Sequence, residues 1–353
     1  MRSSSGQHFV PLDHLRALAA FMVFSWHFLH SPGPVALEGA PLIFPLALID
    51  EGHTGVALFM VLSGYLFAKL LDGKNISYGA FFWNRFIRLA PLLILTFTLV
   101  VLAEIWRGEN TYTIYTSLLR GFIYPEWPNG GWSITTEIHF YLILPALLWM
   151  SRQSKFLPLV IVLIALASRY IYFQLHGEVQ SIAYWTIIGR IDQFTLGIVA
   201  YLCAPQLQRK KYVAYGVLIL FGLFWWWFDK TGGFYLRPKY PSPSSIWIVI
   251  PTIEGLAYAA LIVLYDSAKI NHNSIWSRLL QRLGEYSYSI YLLHFFVVFR
   301  ASEYINRRIM DISEFYIAIL WSAALFTAMI IPGYLSFRFI ESPFLKLRMR
   351  YIK

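Results

Sequence analysis

Two groups in the first apolar run of the chain are costly in hydrocarbon. They sit in Leu12-Asp13-His14-Leu15-Arg16-Ala17-Leu18-Ala19-Ala20 and its continuation to Trp26-His27. Arg16 and His27 are eleven residues apart, close to three helical turns, so one helix projects both from nearly the same face. At a rise of about 1.5 Å per residue they lie roughly 16 Å apart along the axis. A neutral imidazole at that depth can take a proton from a hydroxyl and act as a general base. The plainer role is a histidine hydrogen-bonded to a neighbouring helix.

Two further segments carry chemistry. In Trp83-Asn84-Arg85-Phe86-Ile87-Arg88-Leu89-Ala90-Pro91 the arginines are three apart and share a helical face. Paired guanidiniums suit bidentate phosphate binding, although positive charge at an inner membrane edge also explains them. In Gly130-Gly131-Trp132-Ser133-Ile134-Thr135-Thr136-Glu137-Ile138-His139-Phe140-Tyr141, Ser133 fits an N-cap with Glu137 in the first turns. Glu137 is expected at a depth comparable to His27, where a carboxylate would orient the imidazole or stabilise its protonated form. Capping with interfacial wetting is the alternative.

These residues need a bundle of membrane-crossing helices to position them. Of the 353 residues 58% are hydrophobic and 14% charged, against about 45–50% and about 25% in soluble domains. Runs near the length of about 20 residues that a spanning helix needs fall at 12–31, 52–71, 87–106, 132–150, 156–175, 184–204, 212–229, 246–266, 286–305 and 315–337. The expected fold is therefore all-α, a polytopic transmembrane bundle of about ten helices. The first is a retained anchor rather than a cleaved signal. With the N-terminus cytoplasmic, 18 of the 29 Lys and Arg fall on the inside and eight on the outside, which favours N-in and C-in. Basic outer loops at 229–245 and 300–314 reduce that asymmetry without reversing it.

Ionisable residues inside spans, Arg16, His27, Glu137, His139, Arg169, Arg190, Asp192, Glu254 and His294, argue for a wet cavity or an ion pathway. The net charge of +10 is distributed over short loops, as topology requires, and no nucleic-acid partner is expected. Cys203 is the single cysteine, which excludes an intramolecular disulfide and a Cys-rich metal site; no metal is expected. The outer stretches 107–131 and 229–245 are rich in aromatics, Pro and Gly. Such aromatics anchor the membrane interface, and they also stack on sugar rings.

Read in order, these segments resemble the membrane-bound acyltransferase-3 family, the bacterial O-acetylases of surface polysaccharides. The resemblance covers nearly the whole chain. Its signatures are the Arg16-x10-His27 spacing, Gly55-Val56-Ala57-Leu58-Phe59-Met60-Val61-Leu62-Ser63-Gly64-Tyr65-Leu66, Arg85-x-x-Arg88 with Pro91, and Trp132-Ser133-x-x-x-Glu137-x-x-Phe140-Tyr141. Tyr286-Ser287-Tyr288-Ser289-Ile290-Tyr291-Leu292-Leu293-His294 and Phe339-Ile340-Glu341-Ser342-Pro343 complete the set. His14 stands where the family usually has Gly, and Ile134 where it has Leu.

The resemblance implies a bacterial inner-membrane, multi-pass enzyme. It would use acyl-CoA, usually acetyl-CoA, from the cytoplasmic side as a co-substrate, with no permanently bound cofactor, and acylate an exported glycan or a lipid-linked saccharide. His27 corresponds to the family histidine and Arg16 to its paired arginine. Arg16, Arg85 and Arg88 would grip the CoA phosphates, and Glu137 would assist His27. His294 would line the same cavity, with Asp13, Trp132, Ser133 and Arg190 supporting. The chain is expected to be a single membrane domain with no fused soluble part; homo-oligomers are left open. A glycan, lipid or anion transporter, or a structural partner of a polysaccharide synthase, are the competing readings. No internal repeat of the kind common in transporters is visible.

Overall fold

The computed structural model describes residues 9–30, 41–108 and 112–352. Arg2 and Lys353, counted above for topology, and residue 31 of the first expected span lie outside that set. The described chain is helical throughout, with a lone antiparallel bridge between Ile76 and Ile352. Among the described residues, six segments are long and apolar enough to cross a bilayer: Gly52–Leu71, Tyr78–Arg107, Trp132–Gln153, Leu159–His176, Lys211–Lys230 and Phe315–Leu345.

The helices that build the site are α1 (Val10–Leu29), α2 (Gly55–Leu71), α3 (Tyr78–Arg107), α4 (Trp132–Gln153), α5 (Leu159–His176), α6 (Ile187–Leu202), α7 (Lys211–Lys230), α8 (Ile250–Asp266), α9 (Ile275–Glu285), α10 (Ser287–Leu293), α11 (Val298–Arg308) and α12 (Phe315–Ala328). Polarity is inverted relative to a soluble fold. Phe86 and Ile94 of α3, Leu163 and Leu175 of α5, and Leu220 of α7 face outward, whereas Arg169, Asp192, Arg190 and Glu254 are buried. That distribution suits a lipid exterior, where outward apolar groups cost nothing and inward charges must be paired.

Four expected spans are helical but fall short by length, continuity or polarity. α1 has 20 residues, yet Asp13, His14, Arg16 and His27 lower its hydropathy. It is the central helix, nearly enclosed by α2, α9, α10, α11 and α12, and has little need of an apolar surface. The run 184–204 breaks at Thr186, whose extended backbone ends the Gln180–Trp185 turn and whose hydroxyl accepts from the Gly189 N–H at 3.4 Å to cap α6. Ahead of α8, Ser245–Ile248 is a 3-10 turn. Between α10 and α11 the chain tightens into a 3-10 turn at His294–Phe296.

Close helix contacts hold the core. α2 crosses α6 at Gly64 and Gly197; a Cβ at the first would run into the Phe194 carbonyl, and one at the second into that of Val61. Small residues of this kind let membrane helices approach backbone to backbone. Gly52, Gly55 and Gly284 abut α1 in the same way, against the carbonyls of Met22, Ala19 and Asp13. His14 is tied on both sides: its Nδ1 lies 3.0 Å from the Tyr265 hydroxyl, and its Nε2 2.9 Å from the Ser277 carbonyl, joining α1 to α8 and α9.

Two buried ion pairs bind the helices behind α2. Arg169 of α5 meets Asp192 of α6 at 2.8 Å and donates to the Gly189 carbonyl at 2.7 Å. Arg190 of α6 meets Glu254 of α8 at 3.1 Å and donates from Nε to the Tyr184 carbonyl at 2.9 Å. Four of the intramembrane ionisable residues thus serve as helix-to-helix ties. His139 is likewise structural, with Nε2 2.9 Å from the Phe122 carbonyl.

Overpacking at the α2–α6 crossing tests this account. Gly64→Ala is expected to destabilise the protein by about 1–3 kcal/mol and lower its melting temperature in detergent. Gly216→Ala on α7, where a Cβ meets nothing within 4 Å, should leave it unchanged or slightly raised. Equal melting temperatures for the two variants would contradict the crossing.

Candidate active site

α1 carries its polar groups into two adjoining chambers. The first, about 220 Å³, lies at the start of α1. Asp13 and Arg16, one turn apart, pair at 2.8 Å on its wall. Arg85 and Arg88 reach it from α3, and Ser133, Glu137 and Tyr141, spaced four apart, from one face of α4. The C-terminal segment adds Arg348. It is held there by Asn84, whose amide donates to the Met349 carbonyl at 2.7 Å and accepts from the Met349 N–H at 2.9 Å.

The arginines of this chamber differ in partnership. Arg88 is ion-paired with Glu341, which also accepts from the Ser289 hydroxyl. Arg85 lies over the rings of Phe67 and Phe81, 5.3 and 5.5 Å from their centroids, and its buried Nε has no acceptor among the described residues. Burial, with Arg88 and Arg85 alongside, pulls the Arg348 guanidinium down to about 10. Cations gathered out of water, one with an idle donor, make a surface that an anion would stabilise. Glu137 sits among them, accepts from the Tyr141 hydroxyl, and lies within electrostatic reach of Arg85, Arg88 and Arg16.

The second chamber, about 470 Å³, lies around the end of α1. His27 is on its wall with Trp26, His30, Trp132, Phe295 and Phe299. His27 Nδ1 lies 2.9 Å from the Val23 carbonyl and 3.3 Å from His294 Nε2. His294 Nδ1 in turn lies 2.6 Å from the Tyr291 carbonyl. Because a carbonyl only accepts, both Nδ1 atoms carry hydrogen, and His294 Nε2 is a second acceptor for the His27 N–H. The lone pair of His27 therefore resides on Nε2, the nitrogen a base or nucleophile uses. Uptake of a proton there leaves Nδ1–H still held by two acceptors.

The chambers share Val56 and Tyr291 as lining. The Tyr291 hydroxyl receives the Ser133 hydroxyl at 2.8 Å and lies 3.1 Å from the Gly130 carbonyl. The partition is thus a hydrogen-bonded latch between α4 and α10, and the single crevice expected from the sequence is two compartments meeting at one tyrosine.

The expected site residues divide between them. Asp13, Arg16, Arg85, Arg88, Ser133 and Glu137 meet in the first chamber, and His27 and Trp132 in the second. Glu137 is not beside His27. α4 begins at Trp132 in the second chamber, and five further residues, about 7 Å of helix, carry Glu137 into the first. The partner of His27 is instead His294, which lies behind it. Arg190 lines neither chamber; it sits behind Tyr184, 4.5 Å from that ring.

Four residues escaped the sequence reading as site residues. Tyr291 and Glu341 lay inside quoted signatures with no role assigned. Arg348 was counted only as an inner-face charge. His53 is buried, with Nε2 3.3 Å from Glu51, and borders the second chamber. The signal for it was available: a carboxylate two residues ahead of a histidine at the head of an apolar run.

Fold and chambers define a polytopic helical membrane protein with an arginine-lined compartment joined to a histidine-bearing one. The sequence profile of the acyltransferase-3 family, described as an acyltransferase domain, matches residues 10–338. The chain belongs to this family. It is similar to a provisionally named O-acetyltransferase of Staphylococcus aureus (strain COL), with 25% identity over 96% of this chain and 58% of the relative. It is also similar to the peptidoglycan O-acetyltransferase of Listeria monocytogenes, with 26% identity over 96% of this chain and 56% of the relative. Nodulation protein 10 of Rhizobium leguminosarum bv. viciae is 27% identical over 84% of each chain. The chain spans under three-fifths of the length of the first two relatives. No solved structure matches it.

The two α3 arginines should separate in experiment. Arg88→Ala strands the buried Glu341 carboxylate and is expected to cost about 3 kcal/mol or more, with part regained in the Arg88→Ala, Glu341→Ala double variant. Arg85→Ala, which breaks no ion pair among the described residues and leaves Arg88 and Arg16 near Glu137, should cost less than Arg88→Ala. Calorimetry of the four detergent-purified proteins reads this directly, and an Arg85→Ala protein as unstable as Arg88→Ala would refute the distinction.

Proposed function

We propose that this chain is a membrane O-acyltransferase that takes an acyl group, acetyl first, from cytoplasmic acyl-CoA and delivers it to a hydroxyl of an exported or lipid-linked glycan. The observation that carries the reading is that one helix, α1, places Arg16 in a chamber of guanidiniums and His27 in the chamber next to it. In this reading about ten helices cross a bacterial inner membrane with both termini cytoplasmic. The first chamber then opens inward with the C-terminal segment, and the second faces outward. Arg16, Arg85 and Arg348 hold the CoA phosphates, and the pantetheine arm carries the thioester past Tyr291.

His27 Nε2 takes the proton of the acceptor hydroxyl as its oxygen attacks the thioester carbonyl. The tetrahedral intermediate collapses with breakage of the C–S bond, and the proton on Nε2 passes to the departing CoA sulfur. One ester forms, one thioester is consumed, and His27 returns to its starting tautomer. His294 is a positioning residue that keeps the Nδ1–H of His27 engaged so that Nε2 remains basic. Glu137, with Asp13, Trp132 and Ser133, organises the arginines and the partition rather than the proton transfer.

His27→Ala is expected to reduce transfer of labelled acetyl from acetyl-CoA roughly a hundred- to ten-thousandfold, with insertion and acetyl-CoA binding retained. Full activity in that variant would end this mechanism. An acetyl group found by mass spectrometry on His27 after reaction without acceptor would replace the general base with a covalent carrier. Arg85→Ala should raise the KM for acetyl-CoA while leaving the acceptor KM alone. Mass loss in surface glycans of a deletion strain names the acyl group and its position.

A further inference from the structure

We infer that the second chamber is a subsite for one neutral pyranose residue of the acceptor, with its walls formed by Trp26, Trp185 and Tyr235. The inference rests on the reading above that the acceptor is a glycan, and adds which kind of sugar the chamber takes and which side chains hold it. At about 470 Å³ it is far larger than an acetyl group and one hydroxyl need.

The lining is ring upon ring. Trp26 stacks on Tyr235 with centroids 5.5 Å apart and planes within 8°. Trp185 stands edge-on to Trp132 at 4.7 Å, and its indole N–H is engaged by the Tyr240 hydroxyl at 2.9 Å. Tyr235, 41% exposed, belongs to the Gly- and Pro-rich loop after α7, and with the half-buried Trp185 it forms the rim. Flat apolar walls with a few polar groups are how small polar ligands are held, and a pyranose offers C–H faces to such walls and hydroxyls to their edges. A donor of the right kind is present: the Trp26 indole N–H is buried without an acceptor among the described residues. A buried donor left unmet is costly, and a sugar hydroxyl would satisfy it.

Charge selects the sugar. Among the described residues the lining contains no Lys, Arg, Asp or Glu; its polar side chains are His27, His30, His53 and the tryptophan and tyrosine edges. Behind the histidines stand carboxylates, Asp50 at 4.0 Å from His30 Nε2 and Glu51 at 3.3 Å from His53 Nε2. Of the cations nearby, Arg190 is paired with Glu254, and Arg237 donates to the Thr231 hydroxyl and lies over the rings of Trp227 and Phe228. A uronate or phosphorylated sugar would meet no Lys or Arg on the described lining and two carboxylates behind it. A neutral hexose or N-acetylhexosamine meets no such penalty.

Full-length protein in detergent, given labelled acetyl-CoA, is offered cellotetraose, maltotetraose and chitotetraose as neutral probes and tetragalacturonate as the anionic one. Transfer to at least one neutral probe, and at least tenfold less to tetragalacturonate, is expected. Transfer to tetragalacturonate equal to or above the best neutral probe, or to none of the four, overturns the inference. Binding of labelled acetyl-CoA in the absence of glycan is measured in parallel. Its absence would strike the acyltransferase reading itself, whereas its presence with the wrong acceptor pattern strikes only the subsite.

Tyr235→Ala and Trp185→Ala, both at the partly exposed rim, should each raise the KM for the neutral probe about tenfold, the factor one good aromatic contact is worth. The kcat and the KM for acetyl-CoA should stay near wild type. An unchanged acceptor KM in both variants also overturns it, and so does a loss of acetyl-CoA binding in step with transfer.

Discussion

A helix that bears Asp13, His14, Arg16, Ser25 and His27 cannot face hydrocarbon, and the remainder of the bundle is arranged to enclose it. Around α1 the neighbouring backbones come close at Gly52, Gly55 and Gly284, where a methyl group would collide with α1 carbonyls. The polar residues are then met one by one: Asp13 by Arg16, His14 by Tyr265 and Ser277, Ser25 by Ser322 at 2.9 Å, and His27 by Val23 and His294. Enclosure makes a polar helix affordable in a membrane, and it also fixes the direction in which Arg16 and His27 can open into free volume.

Buried arginine does two different things in this molecule. Arg169, Arg190 and Arg88 are neutralised by Asp192, Glu254 and Glu341, and each pair joins separate helices. Their partners are short side chains on rigid elements, so the geometry is set by the fold. Arg85, with an idle Nε, and Arg348 stand together in the first chamber, and like charges gathered out of water are stabilised by an anion. Composition treats all five alike. Only the third dimension separates a tie from a binding group.

The parts of this architecture legible from sequence are those that depend on local periodicity. The shared face of Arg16 and His27 follows from eleven residues at helical pitch, and the face of Ser133, Glu137 and Tyr141 from a spacing of four. Breaks in helices are not legible, because hydropathy counts side chains and is blind to the hydrogen bonds that start α6 afresh at Thr186 or tighten the chain at His294. Glu137 was misplaced for a related reason. Its distance from the start of α4 was known, but the depth of α4 relative to α1 is fixed by packing, and a shift of about 7 Å of helix moved the carboxylate to the other chamber. His294 lies far along the chain from its partner His27, and Arg348 from the α3 arginines of the same chamber, where no spacing argument reaches.

The order of the compartments gives a direction to the chemistry. Cations, the C-terminal segment and an idle Arg85 donor lie at one end of α1; aromatic rings, uncharged lining and the basic nitrogen of His27 lie at the other. A group delivered from the first to the second must pass Tyr291, whose hydroxyl is tied to Ser133 and Gly130 at the head of α4. Those are the residues that begin the helix bearing Glu137, and Tyr291 is three residues from His294. Rotation of a single ring would therefore disturb the anchoring of both walls at once. A partition built this way ties both walls to one hydroxyl, because Tyr291 holds the head of α4 and lies three residues from the histidine behind His27.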